Sequence, residues 1–489
     1  MSKQCAAVID IGKTNKKVMV YDQDYRILTS EERHIPEREE GDLLLDDIEG
    51  IAAWMSEALA TVMREFPIGV IAVSTHGAAL VHIDENGERA FPGISYSQSV
   101  SDAFDSKFYS TYGSELELYC ETAAPPLGGL LNSGRQFVWL KERDPEAFAR
   151  IHRTLCFPQY LSRLLCGESA LEISSIGTHS YLWNFADRQW SSLVKQAGIT
   201  PFFNMPFKQA WEPLGTLQRT GRFDNLPDGE CRVAVGIHDS NAALLPYLLG
   251  NDKPFVIMST GTWMVVMRPR TPFTLQDKNL RQGVLYYLDA FGEPVKATLA
   301  MSGAEFDHYR ARFAKECPPD DGSLSTADAI NAVLASDVYI LPTLHPDTGQ
   351  FPDSKGRIVN ESKCLQHPEF AMQALNLSMV IQSVEQLRIL YPDDTTDVVL
   401  EGGFTKNVEY LGMLAACCPE RKFFKREDTQ GTSLGTAVCA FAALKGVTPD
   451  RIHTPDIWNQ LIPVKPMSMD NVKFHEYQQQ FLNQCRSTM

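Results

Sequence analysis

The chain has 489 residues, more than a single hydrophobic core usually supports, so we expect at least two domains. Its composition, 44% hydrophobic and 22% charged, is typical of globular proteins, and its net charge of −16 argues against nucleic acid or an anionic membrane as the main partner. No run approaches the roughly 18 apolar residues of a membrane span, and the N-terminal apolar stretch is too short for a signal peptide. Eleven scattered cysteines without C-x-x-C pairs favour a reducing compartment, so we predict a cytoplasmic protein.

The first distinctive segment, residues 8–22, reads VIDIGKTNKKVMVYD, two apolar runs joined by a polar turn, and it predicts a β-hairpin. Its letters GKT resemble the end of a Walker phosphate loop, but the first glycine of that motif would fall at Ala7. Asp10, at the end of the first strand, is suited to hold a hydrated Mg²⁺, and the turn offers small side chains and backbone N–H groups to a phosphate. The candidate phosphate contacts are Gly12, Lys13, Thr14, Asn15 and Lys17. On this segment alone, a solvated hairpin that binds nothing remains the alternative.

Helical and strand patterns alternate through the rest of the first half. Residues 47–66 carry apolar residues at helical spacing, and residues 68–80 read as a strand that runs into a glycine turn. Residues 121–209 then form a mainly helical insertion, rich in aromatic residues, which we expect to cover part of the first domain.

The centre of the chain, residues 233–249, reads VAVGIHDSNAALLPYLL. Val233 to Ile237 predict a strand and Ala242 begins a helix, so Asp239 is expected on the turn between them, where ligands bind in open α/β sheets. An aspartate there suits a catalytic base that takes a proton from an attacking hydroxyl. The alternative is an ordinary helix cap, because Asp, Ser and Asn all cap helices.

Residues 254–269, PFVIMSTGTWMVVMRP, repeat the plan of the first hairpin. Gly261 stands in the turn, 249 positions after Gly12, which is close to half the chain. Two similar hairpins predict an internal duplication with both turns facing one cleft, an arrangement that suits a ligand with several phosphates. Further along, residues 369–390 predict a strong helix, and DVVLEGGF predicts a buried strand that ends at two glycines and precedes another helix.

Five motifs in order resemble the FGGY carbohydrate kinases, within the actin-like and hexokinase-like ATPase superfamily, and most of all their L-fuculose and L-rhamnulose kinase branch. These are DIGKTN, GIHDSNAAL, STGTW, EGGFTKNVEYLGMLA and DTQGTSLGTAVCAF. The resemblance implies an α/β fold of two ribonuclease-H-like (actin/hexokinase-like ATPase) domains around a central cleft. It places a sugar-binding domain at residues 1–248, with the insertion at about 121–209, and an ATP-binding domain at 249–489.

The resemblance also implies roles for single residues. Asp239 would be the general base, and Asp10 would position Mg²⁺ through water. The residues implied at the ATP and its phosphates, besides those of the first hairpin, are Thr260, Gly261, Thr262, Gly402, Gly403 and Asn407. The ligands would be ATP, Mg²⁺ and a small sugar, with no nucleic acid or membrane partner; a homodimer is an oligomeric state that the sequence leaves open.

His76, Gln98 and His238 would face the sugar in the family arrangement. For His76, the alternative is a structural role, in which the ring lies in a turn and forms hydrogen bonds with the backbone. None of the three is a fixed charge, so we expect a neutral ketose of the fuculose or rhamnulose type, phosphorylated on its C1 hydroxyl. Lys13 departs from the small residue usual in the family, and the segments THGAAL and SYSQSVSD depart from its sugar motifs.

Three other functions stay open at this point. A non-catalytic ATP-binding regulator on the same fold would keep the hairpins but could lose Asp239. A phosphotransferase acting on a carboxylate would recruit arginines, which THGAAL and SYSQSV do not contain. A kinase for a different polyol or for a sugar acid is the third.

Overall fold

The protein is described by a computed structural model that covers residues 4–13, 15–344, 349–391, 396–426 and 430–486, apart from the side chain of Lys278. Two large mixed sheets, one in each half of the chain, carry most of its strands. None of the helices in these described ranges is both long and apolar enough to cross a membrane.

The first half contains thirteen strands and nine α-helices among its described residues. The strands are β1 Cys5–Ile11, β2 Asn15–Tyr21, β3 Ile27–His34, β4 Arg38–Glu40, β5 Leu43–Leu45, β6 Ile68–Thr75, β7 Leu80–Ile83, β8 Arg153–Cys156, β9 Trp183–Asn184, β10 Gln189–Trp190, β11 Pro213–Thr216, β12 Arg232–Ala234 and β13 Ile237–His238. The helices are α1 Ile48–Glu65, α2 Asp102–Tyr112, α3 Glu115–Thr122, α4 Gly134–Arg143, α5 Pro145–Ala149, α6 Phe157–Cys166, α7 Ile173–Ile176, α8 Ser192–Gln196 and α9 Asp239–Gly250.

The second half contains nine strands and seven α-helices in the part that the structure describes. The strands are β14 Phe255–Thr260, β15 Met264–Arg268, β16 Val284–Leu288, β17 Pro294–Ala300, β18 Tyr339–Leu341, β19 Arg357–Val359, β20 Asp397–Gly402, β21 Phe423–Lys425 and β22 Ile462–Pro463. The helices are α10 Ser302–Glu316, α11 Thr326–Leu334, α12 Glu361–Cys364, α13 Pro368–Leu390, α14 Val408–Cys417, α15 Gly431–Lys445 and α16 Asn471–Arg486.

The two large sheets share one plan. The first has the order β11-β12-β6-β1-β2-β3, with β13 also on β6, and the second has the order β16-β17-β15-β14-β20-β21-β22. In each sheet the first hairpin strand pairs antiparallel with the second and parallel with a later strand, β1 with β2 and β6, and β14 with β15 and β20. The structure therefore confirms both predicted hairpins and agrees with an internal duplication.

The central strands are apolar because both of their faces are covered. All eight residues of β6 are buried, and in β1 every residue except Asp10 is buried. Buried parallel strands read as continuous apolar runs. Burying an acid in such a run costs free energy of folding, a cost that is tolerated where the acid has a function. Asp10 is thus marked out by its position before any chemistry is considered.

The two halves meet through two long helices. Helix α15, from the second half, packs on α9 and on β1 and β6 of the first sheet. A Cβ on Gly435 would lie 1.7 Å from the carbonyl oxygen of Ala242, so the backbones of α9 and α15 touch there. The Tyr21 hydroxyl and Ser433 Oγ, 2.7 Å apart, add a hydrogen bond between the halves. This contact seats the start of α9 between the two domains.

The insertion has its own aromatic core and touches the second domain. That core includes Phe104, Phe108 and Leu118, so α2 and α3 pack with the insertion although they precede most of the predicted range 121–209. Two loop carbonyls of the insertion reach the edge strand β16: Ala123 O accepts from Tyr286 N at 3.1 Å, and Gly177 O accepts from Leu288 N at 2.8 Å.

The strand before α9 differs from the prediction. The expected strand Val233–Ile237 is divided into β12 and β13, because Gly236 takes a φ of +99° that interrupts the pairing with β6. Helix α9 begins at Asp239, three residues earlier than expected. Asp239 therefore lies in the first helical turn, where the helix dipole favours a negative charge.

Candidate functional site

A cavity of about 310 Å³ lies between the two halves at the start of α9. Side chains and turns of both domains line it. Those of the first half include Lys13, His76, Tyr96, Leu131, His179, His238 and Asp239. Those of the second half include Ser259, Thr260, Gly261, Thr262, Trp263 and Tyr287. The predicted base and the predicted second phosphate turn therefore line the same cavity.

Asp239 has one carboxylate oxygen engaged and its side chain partly exposed to the cavity. Its Oδ1 accepts from Ser240 N at 2.6 Å and from Ser240 Oγ at 3.3 Å, and it lies 3.1 Å from His238 Nε2. The N-cap of α9 is His238 and not Asp239, so simple capping does not account for this aspartate. Burial raises the pKa of Asp239, while the neighbouring His76 and the Ser240 bonds act in the opposite direction.

Asp10 lies near Asp239 at the end of β1. Burial, followed by the negative charge of Asp239, raises the pKa of Asp10 to about 7, and the hydrogen bond from Ser74 opposes this shift. Lys17, its cross-strand partner, also lowers this pKa, but the Lys17 ammonium itself lies 3.4 Å from Glu32. Among the described residues no cation bonds to both of these neighbouring carboxylates, an arrangement that suits a divalent metal ion held through water.

The turn between β14 and β15 separates two cavities. Thr260, Gly261 and Thr262 line the first cavity and also a second one of about 480 Å³. The second cavity is further lined by Gly303, Phe306, Asp307, Arg310, Gly403, Phe404, Lys406 and Asn407. One small-residue turn thus faces a pocket with a carboxylate on one side and a pocket with basic groups on the other.

Close backbone packing forms this turn. A Cβ on Gly303, at the start of α10, would lie 1.8 Å from Gly261 O, and Ala304 N donates to Thr262 O at 3.1 Å. Gly402 has a φ of +87°, and a Cβ there would lie 2.0 Å from Thr260 O. These positions need glycine because the backbones touch.

The predicted nucleotide residues of the second half fall at or beside the second cavity. Gly403 and Asn407 line it, while Gly402 packs directly on Thr260. The Asn407 side chain caps α14 by accepting from Tyr410 N, and its Nδ2 donates to Asn376 Oδ1 at 2.8 Å. Asn407 therefore also has a structural role at this position.

The first hairpin turn contributes differently from the prediction. Gly12 N donates to Asn15 O at 3.0 Å, which closes the turn, and Asn15 is exposed at the start of β2. Thr14 lies outside the described residues. Neither Gly12 nor Lys17 is among the residues that line the two cavities. Their predicted phosphate contacts stay predictions.

Lys13 points toward the first domain. Its Nζ lies 2.7 Å from Glu37 Oε1, 2.9 Å from Asp46 Oδ1 and 2.8 Å from Ser95 Oγ, and 4.2 Å from the centre of the Tyr96 ring. An ammonium group has three hydrogens, so these three oxygens occupy all of its donors. Lys13 lines the first cavity as the centre of an ion-pair cluster, and its predicted phosphate contact stays a prediction.

Both predicted sugar histidines line the first cavity. His76 is buried, its Nδ1 lies 3.0 Å from Gly77 O, and its Nε2 lies 3.9 Å from Asp46 Oδ1. The backbone contact that was the alternative for His76 is therefore present together with a place in the cavity wall. Burial lowers the pKa of His76, and burial lowers the pKa of His238 to about 3.

Gln98 requires a correction. Its side chain is buried but does not line the first cavity. Its Oε1 accepts from Leu44 N at 2.7 Å, and its Nε2 donates to the carbonyls of Asp42 and Ser99 at 3.2 and 3.1 Å. All the polar atoms of this amide are committed to backbone, so Gln98 holds the loop around β5 and is withdrawn as a sugar ligand.

Three further side chains reach the first cavity that were not predicted. His179 comes from the insertion, where its Nδ1 lies 3.1 Å from Leu131 O and burial lowers its pKa to about 4. Tyr287 comes from the edge strand β16 of the second domain, and its ring centre lies 6.2 Å from that of His179 and 6.1 Å from that of His238. Tyr96 packs edge-on against His76. Of these three, Tyr96 lies within the quoted segment SYSQSV, whereas His179 and Tyr287 lie outside every quoted motif.

Two duplicated α/β domains around a cavity lined by the Asp239 carboxylate and a small-residue turn define an actin/hexokinase-like ATPase fold. Residues 5–245 match the N-terminal domain of the FGGY family of carbohydrate kinases, and residues 252–449 match the carbohydrate kinase FGGY C-terminal domain. The chain belongs to the FGGY family of carbohydrate kinases, as its motifs predicted.

Curated relatives and solved structures agree with this family. The rhamnulokinase of Enterobacter sp. (strain 638) is 26% identical over 287 residues, which is 56% of this chain and 55% of the relative. The chain thus matches about half the length of this curated relative. A carbohydrate kinase from Novosphingobium aromaticivorans is 26% identical, with a TM-score of 0.78 over 97% of this chain and 99% of that one.

Two more distant structures show the same fold. A xylulose kinase and a gluconate kinase, both from Lactobacillus acidophilus, are 15% and 16% identical, with TM-scores of 0.79 and 0.78. Each match covers 99% of this chain and 97% of the other. The predicted fold class is confirmed, and the spread of substrates in these names leaves the sugar to be determined.

Proposed function

We propose that this chain is an ATP-dependent sugar kinase that transfers the γ-phosphate to a hydroxyl of a neutral ketose, with Asp239 as the general base. One observation carries the proposal: Asp239 and the turn Thr260–Thr262 line one cavity, and the same turn lines the second cavity. A sugar hydroxyl beside Asp239 would then lie next to the phosphates of a nucleotide held in the second cavity.

The chemistry follows from these positions. The Asp239 carboxylate accepts the hydroxyl proton as the oxygen attacks the phosphate. The backbone N–H and the exposed hydroxyl of Thr262 suit the phosphate oxygens as donors. The Thr260 hydroxyl instead donates to Glu401 O and accepts from Phe404 N, which holds the turn in place. Closure of the two domains would exclude water, which otherwise competes as the phosphate acceptor.

Mg²⁺ fits the residues near the base. Asp10 would hold the ion through water, with Asp239 as the second negative group nearby. When bound, the metal ion neutralises charge on the phosphate oxygens. Ser74 holds the Asp10 carboxylate in place through a hydrogen bond of 3.1 Å.

We propose a ketose of the rhamnulose or fuculose type, phosphorylated on its C1 hydroxyl. The rhamnulokinase relatives support this choice. The first cavity supports a neutral substrate, since none of its described lining residues is arginine and the Lys13 ammonium is already bonded to Glu37 and Asp46. Aromatic and aliphatic walls from Tyr96, Leu131 and Tyr287 would suit the methyl group of a 6-deoxy sugar. We also propose a cytoplasmic location, with the eleven free cysteines as support.

The decisive experiment measures ATP consumption with a panel of ketoses, polyols and sugar acids, followed by Asp239→Asn on the best substrate. The amide keeps the shape of the carboxylate but cannot accept the proton, so turnover should fall by about 10²- to 10⁴-fold with the fold and ATP affinity kept. Near-wild-type turnover of Asp239→Asn would remove the base assignment. A sugar acid as the best substrate would contradict the neutral ketose, and no turnover on any sugar would favour the non-catalytic regulator.

A further inference from the structure

A loop of the insertion, residues 177–180, carries a histidine into the wall of the first cavity. His179 lines this cavity although it lies outside the large sheet of the first half. Its backbone carbonyl accepts from Asn132 Nδ2 at 3.1 Å, and its ring Nδ1 lies 3.1 Å from the carbonyl oxygen of Leu131. Asn132 is fully buried. The histidine is therefore fixed at two points by one neighbouring segment.

The contact with Leu131 determines the tautomer of His179. A carbonyl oxygen only accepts a hydrogen bond, so Nδ1 carries the proton in this contact. A neutral imidazole has a single N–H, which leaves Nε2 as an acceptor with a free lone pair. Burial, followed by the nearby His238, lowers the pKa of His179 to about 4, so the ring is neutral near pH 7.

The other ring nitrogen of His179 is open to a ligand. Within the described residues, Nε2 takes part in no hydrogen bond or ion pair, and it is not among the fully buried polar atoms that lack a partner. The atom is therefore accessible, and the residue lines the first cavity. A fixed, accessible acceptor suits a hydroxyl, which can donate, and does not suit an ionised carboxylate, which cannot.

The second domain brings Tyr287 to the same wall. Side chains alternate along β16, so the two neighbours of Tyr287 pack with the insertion while Tyr287 faces the opposite side and lines the cavity. The N–H groups of those neighbours bond the carbonyls of Ala123 and Gly177. Gly177 precedes His179 by two residues, and the ring centres of His179 and Tyr287 are 6.2 Å apart. The backbone bonds to the insertion therefore place the two side chains next to each other.

The Tyr287 hydroxyl also has no hydrogen-bond partner in the part of the chain that the structure describes. Tyr287 is 4% exposed, yet its hydroxyl is not among the fully buried polar atoms that lack a partner. A sugar that excludes water from this wall would leave both polar groups without a hydrogen bond unless it offers them one, and that loss costs free energy. The pair therefore selects for a hydroxyl at this place.

We propose that His179 and Tyr287 are sugar ligands that select a hydroxyl other than the reacting one, with His179 Nε2 as its acceptor. The reacting hydroxyl gives its proton to Asp239, so the hydroxyl at His179 is a second one. This inference rests on the proposed function. It adds to that function a determinant of sugar specificity contributed by the insertion and by the second half, and neither residue lies in one of the five family motifs.

Kinetics on the best sugar of the panel and on its monodeoxy analogues test the proposal. His179→Asn keeps an N–H for Leu131 O but has no acceptor at the place of Nε2. It should raise the sugar KM by about 5- to 100-fold with kcat within about three-fold, because binding shared by the ground state and the transition state is lost. The analogue that lacks the selected hydroxyl should have nearly the same KM in the wild type and in this variant.

Two further variants complete the comparison. Tyr287→Phe removes only a hydroxyl, so it should fold as the wild type does and raise the sugar KM by about 3- to 10-fold. His82→Asn is the matched control, because the His82 ring bonds Thr154 and lines neither cavity; its sugar KM should stay that of the wild type. Thermal unfolding midpoints identify variants that have lost the fold. If His179→Asn does not fold, Tyr287→Phe decides the proposal with the same analogues.

The opposite results would overturn the proposal. If removing each sugar hydroxyl costs the same in the wild type and in His179→Asn, then His179 bonds none of them. A fall in kcat with the sugar KM kept would make His179 a positioning residue, and an unchanged KM in Tyr287→Phe would remove Tyr287 from the site. These results leave the proposed function standing, whereas a wild type that phosphorylates no sugar refutes the proposed function and this inference together.

Discussion

Asp10 and Asp239 place two carboxyl groups in one region, and the negative charge of Asp239 makes Asp10 harder to ionise. Burial and Asp239 raise the pKa of Asp10 to about 7, so the surroundings of this carboxyl disfavour its charged form. A bound divalent ion reverses this preference, because it stabilises both carboxylates. A charged Asp10 therefore lowers the stability of the fold when no metal ion is bound, and the same charge favours binding of a divalent ion.

We predict that Asp10→Asn separates these two effects. Turnover should fall on the order of 100-fold and the Mg²⁺ requirement should rise, because the anchor for the ion is lost. Without Mg²⁺ at pH 8, the variant should unfold at a higher temperature than the wild type, since a carboxyl whose folded pKa is raised destabilises the fold above that pKa. Titrations of Mg²⁺ at saturating sugar and thermal scans measure both effects.

Ser74→Ala is the control for this prediction. It removes the hydrogen bond to Asp10 but keeps the charge, so its Mg²⁺ requirement should stay close to that of the wild type. An Asp10→Asn variant with unchanged Mg²⁺ dependence would contradict the metal assignment.

Single residues show which positions near the cavities could be predicted from the sequence and which could not. Asp10 and Asp239 could be predicted because an acid in or after an apolar strand is unusual and local. Gln98 could not, because its amide is satisfied by backbone atoms of residues 42 and 44, which only the folded loop brings near. Lys13 lies in the predicted turn, but the direction of its side chain depends on Glu37 and Asp46.

At the level of elements, the contact between α10 and the β14–β15 turn sets the shape of the wall between the two cavities. Gly303 at the start of α10 touches Gly261 in the turn, and no side chain fits between them. The turn lines both cavities, so a displacement of α10 would change the shape of both cavities together.

Gly303→Ala should disturb this contact. Its Cβ would lie 1.8 Å from Gly261 O, so the helix or the turn must move, at a cost of about 1 to 3 kcal/mol in stability. We expect weaker ATP binding and a lower kcat, measured by calorimetry and steady-state kinetics. Gly128→Ala is the matched control, because a Cβ there would meet nothing within 4 Å. Equal ATP affinity in the two variants would contradict this role of the close contact.

Elements with strong local patterns were predicted well. The helix predicted at residues 369–390 is α13, Pro368–Leu390, and both hairpins fall where the alternation of apolar and polar residues placed them. The strand before α9 was predicted as continuous because Val233 to Ile237 is an apolar run. Its interruption depends on the positive φ of Gly236, which the pattern of hydrophobic residues does not record.

For the whole molecule, the buried histidines make stability depend on pH. Burial lowers the pKa of His82 and His238 to about 3 and that of His179 to about 4, and it lowers the pKa of His76 as well. Each ring stays neutral in the folded state while the unfolded chain binds a proton near pH 6.5. Their contribution to stability is therefore complete above pH 6.5 and is lost as the pH falls toward the folded pKa values.

His82→Gln measures one such contribution outside the site. Between pH 7.5 and 5.5 the wild type should lose about 1.4 kcal/mol of unfolding free energy relative to the variant, which has no titrating group at this position. Buried carboxyls with raised pKa values, such as Glu172, act in the opposite direction but cancel in the comparison. Denaturant unfolding of both proteins at the two pH values gives the difference, and a constant difference would show that His82 is protonated in the fold.

The plan of the whole molecule was predictable only in part. Two hairpins 249 residues apart indicated the duplication. The crossing of α15 onto the first sheet and the reach of the insertion to β16 are contacts between segments far apart in the chain, and no local pattern marks them. His179 and Tyr287 were missed for this reason, since they meet the cavity only through these long-range contacts.

We expect the hydrogen bonds from β16 to Ala123 O and Gly177 O to protect the protein from aggregation as well. Strand β16 ends its sheet, and its sequence VLYYL is fully buried and rich in residues that favour strands. An uncovered edge of this kind recruits strands from other chains. Because the insertion's carbonyls occupy two of its N–H groups, shortening these loops should produce self-association of the protein, separately from any loss of catalysis.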